Sequence, residues 1–286
     1  GYDHLWTWDH LHAIFGDPEQ PIYEGGMSLA AWAAVTSRIR LGLLVGAVTF
    51  RNPALVAKVA TTLDHISGGR AIVGLGGAWF EYEHTAHGID FGKSVGERLD
   101  WLDEACEAIR GVLDGKRVTS PPGGHYAFTD LHQEPQPIQT RLPIMIGGGG
   151  EKKTIRTVAR YADMWNVMGT TETLRHKVEV FLRHCGEVGR DPAEVDITVG
   201  CKVFIRDTEA DARRVWADSM AANKTPMSRV ENDATFWIGT PEMVAERLIE
   251  ARDLGFHTAI SEMAAPYDWE SIERFIGEIK PLVDRA

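Results

Sequence analysis

Three groups of residues in this sequence have types and spacings suited to chemistry. The first is Trp6-Thr7-Trp8-Asp9-His10-Leu11-His12. An imidazole takes up or releases a proton near neutral pH, and a neighbouring carboxylate can fix its tautomer. His10 with Asp9 is therefore a candidate proton-transfer pair; the alternative is a solvated loop pair. His10 and His12 also have the HxH spacing that amidohydrolases use to hold a metal. That chemistry needs further ligands after later strands. The later histidines fall on helices or at a strand start, so no metal site is expected. The second group is Gly76-Gly77-Ala78-Trp79. Small residues let backbone N–H groups approach a flat ring or a phosphate, and Trp79 can add an apolar wall. An ordinary turn with core aromatics would look the same. The third is Gly147, Gly148, Gly149 and Gly150 ahead of a helical pattern, with Lys152 and Lys153 close behind. Free N–H groups at a helix start attract anions, and four glycines in a row are costly in entropy unless they serve a purpose. Asn166 is a candidate hydrogen-bonding partner for a heterocycle, or else a loop cap.

The elements that must position these groups follow from pattern. Residues 39–45 and 71–75 are continuous apolar runs, as strands buried on both faces should be. Between them Pro53 suits a first helical turn. Leu55, Val56, Val59, Ala60, Leu63 and Ile66 recur at helical spacing, and Gly68-Gly69 supplies a C-cap. Strand, helix and parallel strand make a right-handed βαβ unit whose loops lie on one side of the sheet. The alternation continues. Strands are expected near 1–8, 143–146, 163–167, 197–205 and 257–262. Helices are expected at 28–36, 95–113, 147–161, 173–188, 209–221, 241–254 and 269–283. Residues 119–139, within an insertion spanning about 115–141, are rich in Pro and Gly and suggest a hairpin around Gly123-Gly124. Repeated βα units over ~250 residues favour a TIM barrel spanning 1–286 as one domain. A Rossmann site needs GxGxxG after the first strand, and Gly74-Leu75-Gly76-Gly77-Ala78-Trp79 does not supply it. The lysine spacing after Gly150 does not make a P-loop.

Composition narrows the partners. The net charge of -11 argues against a general nucleic-acid or anionic-membrane surface. The 44% hydrophobic content supports a substantial core. Three widely spaced cysteines give no disulfide framework or zinc spacing, which fits a reducing cytoplasm. No signal peptide and no apolar run long enough to span a membrane is visible.

Taken together, WTWDHLH at residues 6–12, the segment 41–84, LPIMIGGGGEKKTIRTVARYADMWN at 142–166 and, more loosely, GTPEMVAERL at 239–248 resemble the luciferase-like monooxygenase superfamily. The resemblance is closest to its coenzyme F420-dependent (deazaflavin) oxidoreductases and covers nearly the whole chain. It implies a TIM barrel with a flavin-like ring at the C-terminal mouth. It implies His10 beside the reactive ring with Asp9 as its neighbour, and a non-prolyl cis peptide at Leu44-Val45 behind the ring. Gly76, Gly77, Ala78 and Trp79 match the cofactor loop, and Gly147 to Gly150 the phosphate loop. Trp79 stands where some deazaflavin dehydrogenases carry a glutamate, which argues against a sugar-phosphate dehydrogenase. The expected activity is hydride transfer between coenzyme F420 and a small organic substrate. The alternatives are an FMN-dependent monooxygenase, a non-catalytic flavin-binding barrel and a metal-dependent hydrolase. The resemblance also allows a homodimer. Family members carry a strand and a helix ahead of the residues matching Gly1, so an open or gapped barrel is expected.

Overall fold

A computed structural model describes residues 1–286. Nine strands form one parallel sheet: β1 (His4–Thr7), β2 (Arg40–Leu43), β3 (Gly46–Ala47), β4 (Ala71–Gly76), β5 (Ile144–Gly147), β6 (Met164–Val167), β7 (Asp196–Ile205), β8 (Phe236–Gly239) and β9 (Thr258–Ser261). The helices between them are α1 (Gly25–Val35), α2 (Pro53–Ser67), α3 (Glu81–His87), α4 (Val95–Leu113), α5 (Thr154–Tyr161), α6 (Thr171–Val188), α7 (Glu209–Ala222) and α8 (Pro241–Asp253). The C-terminal helix runs as α9 (Trp269–Arg274), a π-helical stretch (Phe275–Ile279) and α10 (Lys280–Arg285). The ladder order is β1-β2-β4-β5-β6-β7-β8, with β3 paired to β4 and β9 to β7. The result is a curled, open parallel sheet wrapped by helices, in the manner of an incompletely closed βα barrel.

The apolar runs are explained by burial on two sides. Ile72, Met145, Met164 and Ile260 pack together with Trp6, Leu44 and Val45 inside the sheet. Their neighbours Val73, Ile144, Ile146 and Trp165 point the other way, onto the helices. Residues one apart on a strand face opposite sides, so both faces must be apolar. Each such side chain contributes about 1.5–3 kcal/mol by leaving water. On α4, Leu102, Cys106 and Ile109 are fully buried against this outer layer. Ser94 caps α4 by accepting from Glu97 N at 3.1 Å, while Glu97 accepts from Lys93 N at 2.5 Å. Gly68 ends α2 at φ 69°, the left-handed conformation its C-cap requires.

The long strand β7 changes partner halfway. Thr198 to Cys201 pair with β9, and Lys202 to Ile205 pair with β8. The sheet does not close by hydrogen bonds: β1 pairs with β2 and β9 with β7, and no ladder joins β1 to β9. This is the gap anticipated from the sequence. Side chains cross it instead. Tyr2 stacks on Phe275 with centroids 6.4 Å apart, and its hydroxyl donates to the Ile272 carbonyl at 2.9 Å.

Four expectations need correction. The helix after the four glycines begins at Thr154, because Glu151, Lys152 and Lys153 form turns first. Helix α3 was not anticipated, because its sequence EYEHTAH has no apolar stripe. Strand β8, sequence FWIG, falls where neither strand nor helix was expected, and four residues are too few to show a pattern. The segment around Gly123-Gly124 is only loosely a hairpin, with one antiparallel bridge between Val118 and Leu131. It is tied to the barrel by Tyr126, whose hydroxyl donates to the Val48 carbonyl at 3.0 Å.

Candidate active site

Because the strands are parallel, their C-terminal ends lie on one side. Trp8 to His10 follow β1, Leu44-Val45 follows β2, Gly77 to Trp79 follow β4, and Gly148 to Gly150 follow β5. Asn166 lies within β6, opposite Gly147 in register. All the residues nominated from sequence therefore gather at one mouth.

His10 is held by a residue that sequence reasoning missed. Its Nδ1 lies 2.9 Å from Glu83 Oε1, and Glu83 Oε2 accepts from Leu11 N at 2.8 Å. Glu83 is 2% exposed, at the first turn of α3, where a carboxylate meets the positive end of the helix. Burial pushes its carboxyl up. The hydrogen bond and charge of His10 and the amides of Leu11 and His12 outweigh that and hold it below the ordinary range. A carboxylate only accepts, so Nδ1 carries the hydrogen and Nε2 makes no hydrogen bond to the protein.

Asp9 is not the partner of His10. Asp9 turns inward, where it accepts from Ala47 N at 2.9 Å and from Arg51 at 2.7 and 2.9 Å. Arg51 also donates to Glu24 at 2.8 Å. Burial pushes the Asp9 carboxyl up, and the Arg51 and Ala47 contacts only partly offset this. Asp9 thus ties the end of β1 to β3. His12 also turns away: its Nδ1 lies 3.1 Å from the Pro18 carbonyl and its ring packs edge-on against Tyr82 and His87.

Leu44-Val45 is a cis, non-prolyl peptide. Val45 is seated on glycines. A Cβ on Gly147 would lie 3.0 Å from both Val45 methyls, and one on Gly76 would lie 2.6 Å from Cγ2. The loop after β4 is pinned by Arg98, which donates to the Gly77 and Phe91 carbonyls at 3.0 and 3.1 Å. Ala78 takes φ 57°, a left-handed conformation rare for residues with a Cβ. This turn projects Trp79 outward, 58% exposed, stacked on Phe80 and edge-on to His10 with centroids 5.4 Å apart.

The third loop fits an anionic group in part. Trp165 Nε1 donates to the Gly148 carbonyl and Gly148 N to the Asn166 carbonyl, both at 2.9 Å. The N–H groups of Gly149 and Gly150 donate to no protein acceptor. The lysines differ from expectation: Lys153 is turned onto Asp100 and the Gly96 carbonyl, and Lys152 is exposed. The stem of Lys177 instead lies against Gly149, with its ammonium 2.6 Å from Glu151. Asn166 is 5% exposed and donates to Thr198 Oγ1 at 2.9 Å, which leaves its carbonyl oxygen as the group free to meet a ligand. Glycines without side chains, free amides and an aromatic wall beside an imidazole suit a flat ring carrying a phosphate.

The luciferase-like monooxygenase family model matches residues 1–232. The chain belongs to this family. It is 27% identical to an F420-dependent glucose-6-phosphate dehydrogenase of Kineococcus radiotolerans, over 99% of this chain and 89% of that one. It is also 27% identical to an FMNH(2)-dependent dimethylsulfone monooxygenase of Pseudomonas putida, over 81% of this chain and 71% of that one. The solved structure of an F420-dependent secondary alcohol dehydrogenase superposes with a TM-score of 0.82 at 20% identity, over 99% of this chain and 91% of that one. The chain spans 57% of the length of mycobacterial relatives that it matches at 33% identity. The family thus contains both F420- and FMN-dependent members, and it uses flavin-type cofactors. No helix is long and apolar enough to cross a membrane.

Two residues near Trp8 and His10 were also missed. Lys202, at the partner change in β7, and Glu262, directly after β9, stand 4.0 Å apart. Their side chains are 13% and 14% exposed. Two clefts farther out, of about 470 and 220 Å³ around Arg213 and Arg247, include none of the mouth residues nominated from sequence.

Proposed function

We propose that this chain is an oxidoreductase that transfers a hydride between coenzyme F420 and a small organic substrate. The observation that carries the reading is the grouping of Glu83-held His10, Trp79, Val45 and the free Gly149 and Gly150 amides at one mouth. The deazaflavin is preferred to FMN because the F420-dependent relative aligns along more of both chains than the FMNH(2)-dependent one.

Leu44 and Val45 would support the back of the ring, and Gly76 and Gly77 would let it lie close to the backbone. Trp79 and Phe80 would exclude water from one edge. The Gly149 and Gly150 amides, with Lys177 beside them, would hold the phosphate. Bound there, the cofactor supplies a two-electron hydride couple. His10 Nε2 accepts or returns the substrate proton, and Glu83 fixes the orientation and tautomer of the ring. Asp9 and Arg51 keep the β1 and β3 ends in register beneath it.

Titration of the protein with coenzyme F420 and with FMN, followed by absorbance, tests the reading. Tight binding of the deazaflavin with weaker binding of FMN is expected. FMN bound to the exclusion of F420 would favour monooxygenation, as in the Pseudomonas relative. Binding of neither would overturn a cofactor role.

A further inference from the structure

The part of the mouth beside Trp8 and His10 holds charged groups that the cofactor reading does not use. Glu262 leaves the end of β9 with its amide bonded to the Cys201 carbonyl at 2.7 Å, which fixes its backbone to β7. Five groups face or neighbour it. Lys202 and Cys201 come from β7, Asp233 from the turn ahead of β8, and Trp8 and His10 from the end of β1. Lys202 is committed elsewhere: its ammonium donates to Thr235 Oγ1 at 2.9 Å and stands 3.6 Å from Asp233. It also lies over the Phe236 and Phe15 rings, at 4.9 and 5.9 Å from their centroids. One cation is therefore shared between two carboxylates, and the nearly buried one has the weaker contact.

We propose that Glu262, steadied by Lys202, is a second proton-transfer group of the mouth, and that it receives an uncharged carbonyl or hydroxyl oxygen of the substrate. The proposal rests on the redox reading for its reaction and on geometry for its residue. In the reducing direction the carbonyl carbon would take up a hydride, which a bound reduced cofactor of the flavin class would supply. The C=O π pair becomes an O–H bond to the proton leaving Glu262. Glu262 is then a carboxylate facing the Lys202 ammonium, which steadies the new charge. The reverse reaction returns the proton to Glu262. An anionic substrate group would meet Asp233 as well as Glu262 and is disfavoured. Burial pushes the Glu262 carboxyl up, and Asp233 adds to this against the pull of Lys202, His10 and Trp8.

Infrared spectroscopy of the full chain without cofactor tests the proposal. A carboxylic acid band is followed between about pH 4 and about pH 8, across the ordinary carboxyl and imidazole ranges. Wild type should hold a carboxyl band titrating above about 4.3 that Glu262→Gln deletes, while the bands of other raised carboxyls such as Asp9 and Asp196 remain. Lys202→Met should raise its midpoint by about 1 pH unit or more, and Asp233→Asn should lower it. These two variants decide the question even if Glu262→Gln fails to fold. Added acetone should show a lowered C=O frequency below the Glu262 midpoint and lose it above, because an ionised carboxylate cannot donate. A Glu262 that titrates near about 4.3 and ignores Lys202→Met would overturn the proposal, as would an acetone band unchanged at every pH. Neither measurement uses a cofactor, so failure of the deazaflavin reading would show separately, in its own titration.

Discussion

Replacing Glu83 with glutamine is the sharpest test of how His10 is held. The wild-type carboxylate accepts from His10 Nδ1 at 2.9 Å and from Leu11 N at 2.8 Å, in a site 2% exposed. A glutamine of the same shape has only one accepting atom. The other becomes an amide donor pointed at a donor. The variant loses one hydrogen bond to a charged group, about 1.5–3 kcal/mol, and strands a buried donor at about 1–3 kcal/mol. A net loss of about 3 kcal/mol at pH 7 is expected, measured by urea unfolding. The pH dependence has a definite sign. The folded-state carboxyl is held low, so its stabilisation is complete above the unfolded value near about 4.3. It is lost as pH falls through the folded value. The gap between wild type and Glu83→Gln should therefore be constant near neutrality and shrink on acidification. A gap below about 0.5 kcal/mol at pH 7, or one that does not shrink, would refute the reasoning. Turnover should also fall, since a displacement of about 1 Å at a reacting group costs about 100-fold.

Other variants probe the rest of the mouth. Arg51→Met strands the buried Asp9 carboxylate and should cost about 3–5 kcal/mol in urea unfolding. Asp9→Asn should be milder, since an amide oxygen keeps the Ala47 bond. Gly147→Ala places a Cβ 3.0 Å from both Val45 methyls, so a loss of about 1–3 kcal/mol and weaker deazaflavin binding are expected. Unchanged unfolding and titration curves would show that Val45 does not rest on Gly147. Trp79→Ala, at a side chain 58% exposed, should leave stability within about 0.5 kcal/mol. It should still weaken deazaflavin binding by up to about tenfold through the lost ring face.

What the sequence made legible is what local pattern encodes. The apolar runs at β2, β4, β5 and β6, the α2 and α4 stripes and the Gly68 cap all report their own structure within a few residues. Parallel order then put their loops on one side. Residues paired across the fold stayed hidden. Glu83 is 73 positions from His10 and sits in a polar helix with no periodic signal. The adjacency of Asp9 and His10 misled, because their side chains take different partners, Arg51 and Ala47 for Asp9 and Glu83 for His10. Lys202 carries no local signal within its strand, and its pairing with Glu262 depends on β7 pairing with both β9 and β8. The four glycines promised a helix start, but a short turn delays the helix to Thr154.

The missing ladder between β1 and β9 has a mechanical consequence. His10 hangs from one lip of that seam and Glu262 from the other, and each lip is bonded only to its own neighbour, β2 or β7. Backbone hydrogen bonds resist stretching sharply, whereas side chains such as Tyr2 on Phe275 slide at little cost. Within residues 1–286 the spacing between the two lips therefore lacks the backbone ladder that fixes the spacing of the four paired strands around Val45. Amide hydrogen exchange should show the difference, with β1 and β9 opening well before β4 and β5.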